Sequence, residues 1–299
     1  MSKLTWTLLL VASMACIGAF YPIAKFLAGS IEPLVVAFFR FALAALALLP
    51  VMLYQRSIRV PRREDIFWLF LVAVCGIVPT VFIVVGVEST NSVVAAILIN
   101  TNPLVIALLS PLLISERVRA GAKVGLVVGF LGVVAIVLNG ESIFNLFNSA
   151  YVWGALILSS AAIFAGFSKI YAKGLVRIYD GLYVTFFGTL ISSVVLALIL
   201  AFTGKFAAVV DFSSSQILAL VAVGIICTAL PWTIWNSSLT HLDVHVAASF
   251  NLLIPIFTTF YSFLFLDESL SMWIFAGMLL TSLGVYVVQK EEPRPAIIQ

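Results

Sequence analysis

The chain has 299 residues, of which 63 % are hydrophobic and only 10 % are charged, and its mean hydropathy is +1.20. Soluble domains carry about 25 % charge, so this composition excludes a water-soluble enzyme, a secreted scaffold and a nucleic-acid binder, and places the chain in a lipid bilayer. The formal charge of +3 names no acidic partner, because the basic residues are distributed for another reason.

A spanning helix takes about 20 mostly apolar residues. Ten such stretches are predicted in chain order: 5–27, 33–54, 66–87, 92–114, 121–138, 151–173, 180–203, 215–238, 244–266 and 271–289. The expected fold is an all-α polytopic membrane protein of ten transmembrane helices with short connections. The first apolar run reaches Ala24, too long for the core of a cleaved signal peptide. Tyr21 on this helix reads as a gate or solute contact. Lys25, near its end, either snorkels to the interface or draws anionic solutes into the mouth.

Span two holds the clearest anomaly, Arg40, about 10 Å along the helix at 1.5 Å per residue. Arginine costs roughly 2.5–3.5 kcal/mol at a helix centre. Arg40 is therefore expected to face the bundle, held by backbone carbonyls or by Glu88 at the end of span three. Spans three, four, eight and nine contain Pro79, Pro103, Pro231 and Pro255. Interior prolines remove a backbone hydrogen bond and bend the helix, so these four read either as hinges along a pathway or as ordinary kinks. Asn100 and Asn102 flank Pro103, Asn251 precedes Pro255, and Trp232, Trp235 and Asn236 follow Pro231. Asparagine donates and accepts, which suits a small polar solute. Interhelical hydrogen bonding is the structural alternative for the asparagines, and an interfacial aromatic belt is the alternative for Trp235.

Span five carries Gly121, Gly125 and Gly129, with Gly132 beyond, and span ten carries Gly277, Thr281 and Gly284. Small residues at this spacing let helices approach closely, either span five on span ten or, through Gly121, Gly125 and Gly129, a homodimer partner. Cys16, Cys75 and Cys227 lie in apolar runs and suggest neither a disulfide framework nor a metal site. His241 and His245 bracket Asp243, but no further ligand stands nearby in sequence, so no metal and no cofactor is expected. No serine-nucleophile motif or phosphate loop is present, so no catalytic residue is assigned. No carboxylate lies deep in a span, so a buried acidic proton relay is not expected.

The basic residues orient the chain. With the N-terminus inside, Lys3, Arg56, Arg59, Arg62, Arg63, Arg117, Arg119, Lys123, Lys169, Lys173, Arg177, Lys290 and Arg294 fall inside, while only Lys25 and Lys205 fall outside. Both termini are therefore expected in the cytoplasm of a multi-pass protein of the cell (inner or plasma) membrane.

The sequence also repeats. At an offset of 148, Gly18 matches Gly166, Ala24-Lys25 matches Ala172-Lys173, and Phe38-Phe39 matches Phe186-Phe187. At an offset of 152, Pro79 matches Pro231, Ala95-Ala96 matches Ala247-Ala248, and Pro103 matches Pro255; Glu116, Gly125 and Gly132 likewise match Glu268, Gly277 and Gly284. The matched lysines, Lys25 and Lys173, fall on opposite sides, which suits snorkelling. The repeats are expected at 1–145 and 146–299. Five spans is an odd number, so the second repeat enters inverted. Inverted repeats with a midplane site are a carrier architecture.

At these residues the sequence resembles the drug/metabolite transporter superfamily, in particular its members with two tandem EamA modules. The resemblance is carried by the 5+5 repeat, by residues 18–25, by Pro33 with Phe39-Arg40-Phe41, by Pro103 with Glu116, by Pro255 with Asp267-Glu268, and by the glycines of spans five and ten. One departure is that Ile17, where the family often has tryptophan, precedes Gly18. The resemblance implies ten helices around a central cavity and movement of small polar metabolites, amino acids or related compounds, outward by alternating access. A non-saturating channel, or an uptake carrier or exchanger of the same fold, is the alternative.

Overall fold

The computed structural model describes residues 3–27, 30–57, 59–89, 98–138, 151–205, 212–266 and 271–291. Among them the chain is helical throughout: α1 (Lys3–Leu27), α2 (Pro33–Tyr54), α3 (Arg63–Ser89), α4 (Asn102–Leu113), α5 (Ala120–Leu138), α6 (Tyr151–Tyr179) and α7 (Gly181–Phe202) come first. Two interrupted helices follow. α8 consists of Ser214–Gly224, a π-helical turn Ile225–Ala229 and Leu230–Ser238, and α9 of Val244–Ser249, a 3-10 turn Phe250–Leu253 and Ile254–Leu266; α10 is Met272–Glu291. Among the described residues eight helices are long and apolar enough to cross a membrane, and α4 and α5 are shorter apolar helices.

Local chemistry sets the ends. Pro33 opens α2, where its missing N–H costs nothing. Glu64 and Asp65 lie in the first turn of α3, favourable toward its positive end. Asp180 makes the one-residue connection between α6 and α7 at φ 78°, and its carboxylate accepts from Tyr183 N at 2.8 Å. Ser213 and Gln216 form a reciprocal capping box on α8.

Large apolar side chains such as Leu112, Phe202, Leu218 and Met272 stand exposed on the outside, while serines and threonines lie inside. This ordering fits lipid as the surrounding solvent. Many interior hydroxyls return to their own helix: Ser13 donates to Leu9 O, Thr189 to Thr185 O and Ser249 to Val246 O. Others bridge helices, as Ser168 does to Val72 O and Ser192 to Ala73 O.

The helix pairs come in matched sets. α3 packs on α6 as α8 packs on α1; α4 packs on α6 as α9 packs on α1; α3 packs on α7 as α8 packs on α2. The match extends to residues. A Cβ on Gly18 would meet Phe257 at 2.8 Å, and one on Gly166 would meet Val105 at 3.0 Å; the two partners are themselves 152 residues apart.

α5 and α10 share the most intimate contact. A Cβ on Gly125 would lie 2.8 Å from Gly284 O, and one on Gly277 would lie 2.6 Å from Gly132 O, so any side chain there would force the backbones apart. Gly121 is covered by Glu291, and Gly129 by Leu252 and Gly284. The glycine face is thus occupied inside one chain, and the homodimer surface expected from Gly121, Gly125 and Gly129 is already used.

The prolines depart from expectation. Pro103 and Pro231 stand in the first turn of a helical segment, and Pro255 follows the 3-10 turn of α9 as the second residue of Ile254–Leu266. The irregular backbone precedes each: a turn at residues 100–101, the π turn, and the 3-10 turn. Pro103 stands at a helix start, where its missing N–H sacrifices no intrahelical bond; Pro231 and Pro255 resume regular α-helix directly after the π and 3-10 turns. Of these four, Pro79 alone lies inside a continuous helix.

Candidate functional site

The matched packing leaves a cavity of about 250 Å³ near mid-depth, between α1, α2, α3, α4, α6, α7, α8 and α9. Part of its wall consists of repeat-related positions: Ile17 with Ala165, Phe20 with Ser168, Arg40 with Gly188, Thr80 with Trp232, Ile99 with Asn251, and Asn102 with Ile254. The volume is just below the range of about 300–1,000 Å³ typical of ligand pockets.

Of the residues expected to contact a solute, Asn100, Asn102, Trp232, Trp235 and Asn251 all line this cavity, as do Arg40, Pro79 and Pro103. Pro231 and Pro255 are buried beside it. The side chains of Tyr21, Lys25 and Glu88 lie outside those described. Trp235 is only 6 % exposed, which overturns the interfacial-belt alternative.

Arg40 is held by α8. Its Nε donates to Thr228 Oγ1 at 2.9 Å, and its guanidinium lies 4.2 Å from the centroid of Phe20 and 5.5 Å from that of Trp232. Thr228 belongs to the π turn and donates to Val223 O, five residues back, at 2.8 Å. The extra residue in that turn therefore presents a hydroxyl acceptor to α2. Such bulges are frequent at functional sites.

Sequence reasoning missed Lys169. It was counted among the residues at the inner end of span six, yet it lines the cavity. Its ammonium donates to Asn102 Oδ1 at 3.2 Å and lies 5.2 Å from the ring centroid of Trp235. Asn102 is fixed in turn by donating to Ala162 O at 3.2 Å. Ser168, Thr185, Thr189, Ser192 and Asn236 also line the wall, and Asn236 Nδ2 donates to Thr185 Oγ1 at 2.8 Å. A sequence signal existed: Ala161, Ala165, Ser168, Lys169 and Ala172 form a stripe of small and polar residues at helical spacing.

At one end of the bundle, side chains tie the connections together. Lys173 Nζ lies 2.6 Å from Glu116 Oε1 and donates to Leu242 O at 2.6 Å. Glu116 Oε2 accepts from Val244 N at 2.9 Å. Lys173 is only 4 % exposed, so it does not snorkel. Its partner is the carboxylate between α4 and α5. Asp243 and His245 join this cluster, with ligand atoms of Glu116, Asp243 and His245 within 4.8 Å of one another; the Lys173 ammonium already supplies a cation there. A second tie joins α2–α3 to α6–α7. Tyr179 OH donates to Asp65 Oδ2 at 2.6 Å and accepts from Arg62 N at 2.9 Å, and Tyr183 OH donates to Arg59 O at 2.8 Å. At the opposite end, Lys205 pairs with Glu32.

An apolar exterior, membrane-length helices and an internal cavity with a largely apolar wall carrying a few polar groups define a multi-pass membrane protein with an internal solute-sized site. Comparison with known proteins gives the family. The model of the EamA-like transporter family matches residues 4–138 and again 152–289. The chain belongs to that family and is a membrane transporter. It is 26 % identical over 294 residues to an uncharacterized transporter of Archaeoglobus fulgidus, covering 98 % of this chain and 99 % of that one. It is 24 % identical to a WAT1-related chloroplastic protein of Arabidopsis thaliana, covering 87 % and 63 %. A crystal structure 19 % identical in sequence superposes with a TM-score of 0.81 over 97 % of this chain and 98 % of that one, a likeness of fold.

Proposed function

We propose that this transporter is a ten-span carrier of two inverted five-helix repeats, 1–145 and 146–299, working by alternating access. It moves small polar organic metabolites, amino acids or related compounds first among them, outward across the cell membrane, with both termini cytoplasmic. The observation that carries this reading is the cavity itself: it lies inside the bundle, and residue pairs related by the repeat offsets face it from both halves. Two similar halves facing opposite ways can exchange conformations and so expose one site to either side. The Lys173–Glu116 and Tyr179–Asp65 ties would close the cytoplasmic end in this state and part in the other. Asn100, Asn102, Trp232, Trp235 and Asn251 contact the solute, with Tyr21 on α1 as a gate. Pro79 and the helix restarts at Pro103, Pro231 and Pro255 give the wall its hinges.

Counterflow in proteoliposomes, with a pooled metabolite extract read by mass spectrometry, tests the carrier. Saturable accumulation of a few compounds, lost in Asn100→Leu, is expected. Unsaturable leakage of many unrelated solutes would establish a channel instead. Cysteine labelling at position 60 from the inside and at 145 from the outside tests the orientation.

A further inference from the structure

Two cations line the cavity, Arg40 and Lys169, and no carboxylate is among its described lining residues. Their surroundings differ. Arg40 is bonded to Thr228 and packed against two rings. Among the described residues Lys169 meets an amide oxygen and an indole face. An ammonium away from water is expensive unless an opposite charge or several hydrogen bonds offset it. It has three N–H donors, and one finds an acceptor in Asn102.

The neighbouring wall adds more donors without acceptors. Asn251 Nδ2 and Trp235 Nε1 have no hydrogen-bond partner among the described residues, although these residues are 7 % and 6 % exposed. A buried donor without an acceptor loses roughly 1–3 kcal/mol. Among the described residues, Lys169, Asn251 and Trp235 thus each keep at least one N–H without an acceptor, and all three residues line the cavity.

We infer that Lys169 is the counter-ion for the carboxylate of the transported solute, with Asn251 and Trp235 as further donors around its occupied site. This rests on the transporter reading and narrows it to monocarboxylates with an apolar or aromatic body, since Ile17, Phe20, Val72 and Trp232 make up much of the remaining wall. A solute entering as an anion supplies the missing charge and the missing acceptor together. A cationic solute would meet two like charges.

The test uses three compounds of one shape: 3-phenylpropionate, 3-phenylpropionamide and phenethylammonium, offered to the full chain in nanodiscs. Binding is read by thermal shift and by tryptophan fluorescence. The anion is expected to bind at least tenfold more tightly than the amide, and the cation not at all. Lys169→Met should erase that preference and Lys169→Arg should keep it. The wild-type comparison needs no variant, so it stands even where Lys169→Met fails to fold. Equal response to all three compounds, including none to any, or an anion preference surviving in Lys169→Met, overturns the inference. Counterflow of the pooled extract separates the two readings. Transport confined to solutes without a carboxylate would sink the carboxylate assignment and leave the carrier intact. Anion-selective binding without any counterflow would do the reverse.

Discussion

Lys169 and Lys173 stand one turn apart on α6, and both point into the protein. Lys173 is met by a carboxylate at 2.6 Å and a carbonyl at 2.6 Å. Lys169 is met by one amide oxygen at 3.2 Å and a ring face. The first arrangement is complete: the charge is balanced and the contacts join α4–α5, α6 and α8–α9 into one block. The second is unbalanced and borders empty space. The same side chain, shifted by about 6 Å along the helix, thus serves closure in one place and leaves a charge for a partner in the other.

The sharpest way to break this comparison is at Glu116. Glu116→Ala removes the nearer carboxylate of the buried Lys173 ammonium, leaving only Asp243 at 3.7 Å, and deprives Val244 N of its acceptor. Removing one member of a buried ion pair costs about 3–5 kcal/mol. The variant should lose many degrees of melting temperature, read by fluorescence-detected size-exclusion after heating. Glu116→Leu with Lys173→Met should recover most of the loss, because a pair exchanged for apolar groups of similar volume is often neutral. A double variant no better than Glu116→Ala would mean that the carboxylate serves mainly to cap α9.

Smaller effects are expected at the single bonds. Thr228→Val keeps the shape but removes the acceptor of Arg40 Nε; a hydrogen bond to a charged group is worth about 1.5–3 kcal/mol. Counterflow should fall with it, because Arg40 would leave its position over Phe20 and Trp232. Tyr179→Phe removes one bond to Asp65 and one to Arg62 N, at a cost of about 1–2 kcal/mol. Since that tie spans only the bundle end, transport kinetics should respond more than affinity. Equal changes in both would argue against a gating role.

The large features were legible because lipid allows few designs. Long apolar runs must become helices, and the glycine spacing of spans five and ten encodes the close approach of α5 and α10. The spacing of Asn102, Trp235 and Asn251 around prolines also led to the cavity wall. Lys169 was hidden by its neighbours. With Lys173 and Arg177 it reads as a cluster at a span end, so span six was ended at 173. α6 instead continues to Tyr179, which sets Lys169 ten residues, or about 15 Å, from the helix end. Helix termination there depends on Asp180 at positive φ, which no apolar pattern reveals. The partner of Arg40 was hidden for a related reason. Thr228 reaches it only through a π turn, and hydropathy carries no trace of one extra residue per turn.

The smallest expected effect is the most informative about the two lysines. Lys169→Met strands no carboxylate, since none pairs with it among the described residues. It frees one amide oxygen of Asn102, which still donates to Ala162 O, and it removes a cation from a poorly compensated place. These contributions oppose one another, so stability should change by about 1 kcal/mol or less in either direction. Lys173→Met strands Glu116 and should cost several times as much. Melting curves of the two variants, measured side by side in the same detergent, decide it. A Lys169→Met loss as large as that of Lys173→Met would show that Lys169 has a structural anion of its own, and the cavity would then no longer need one from its solute.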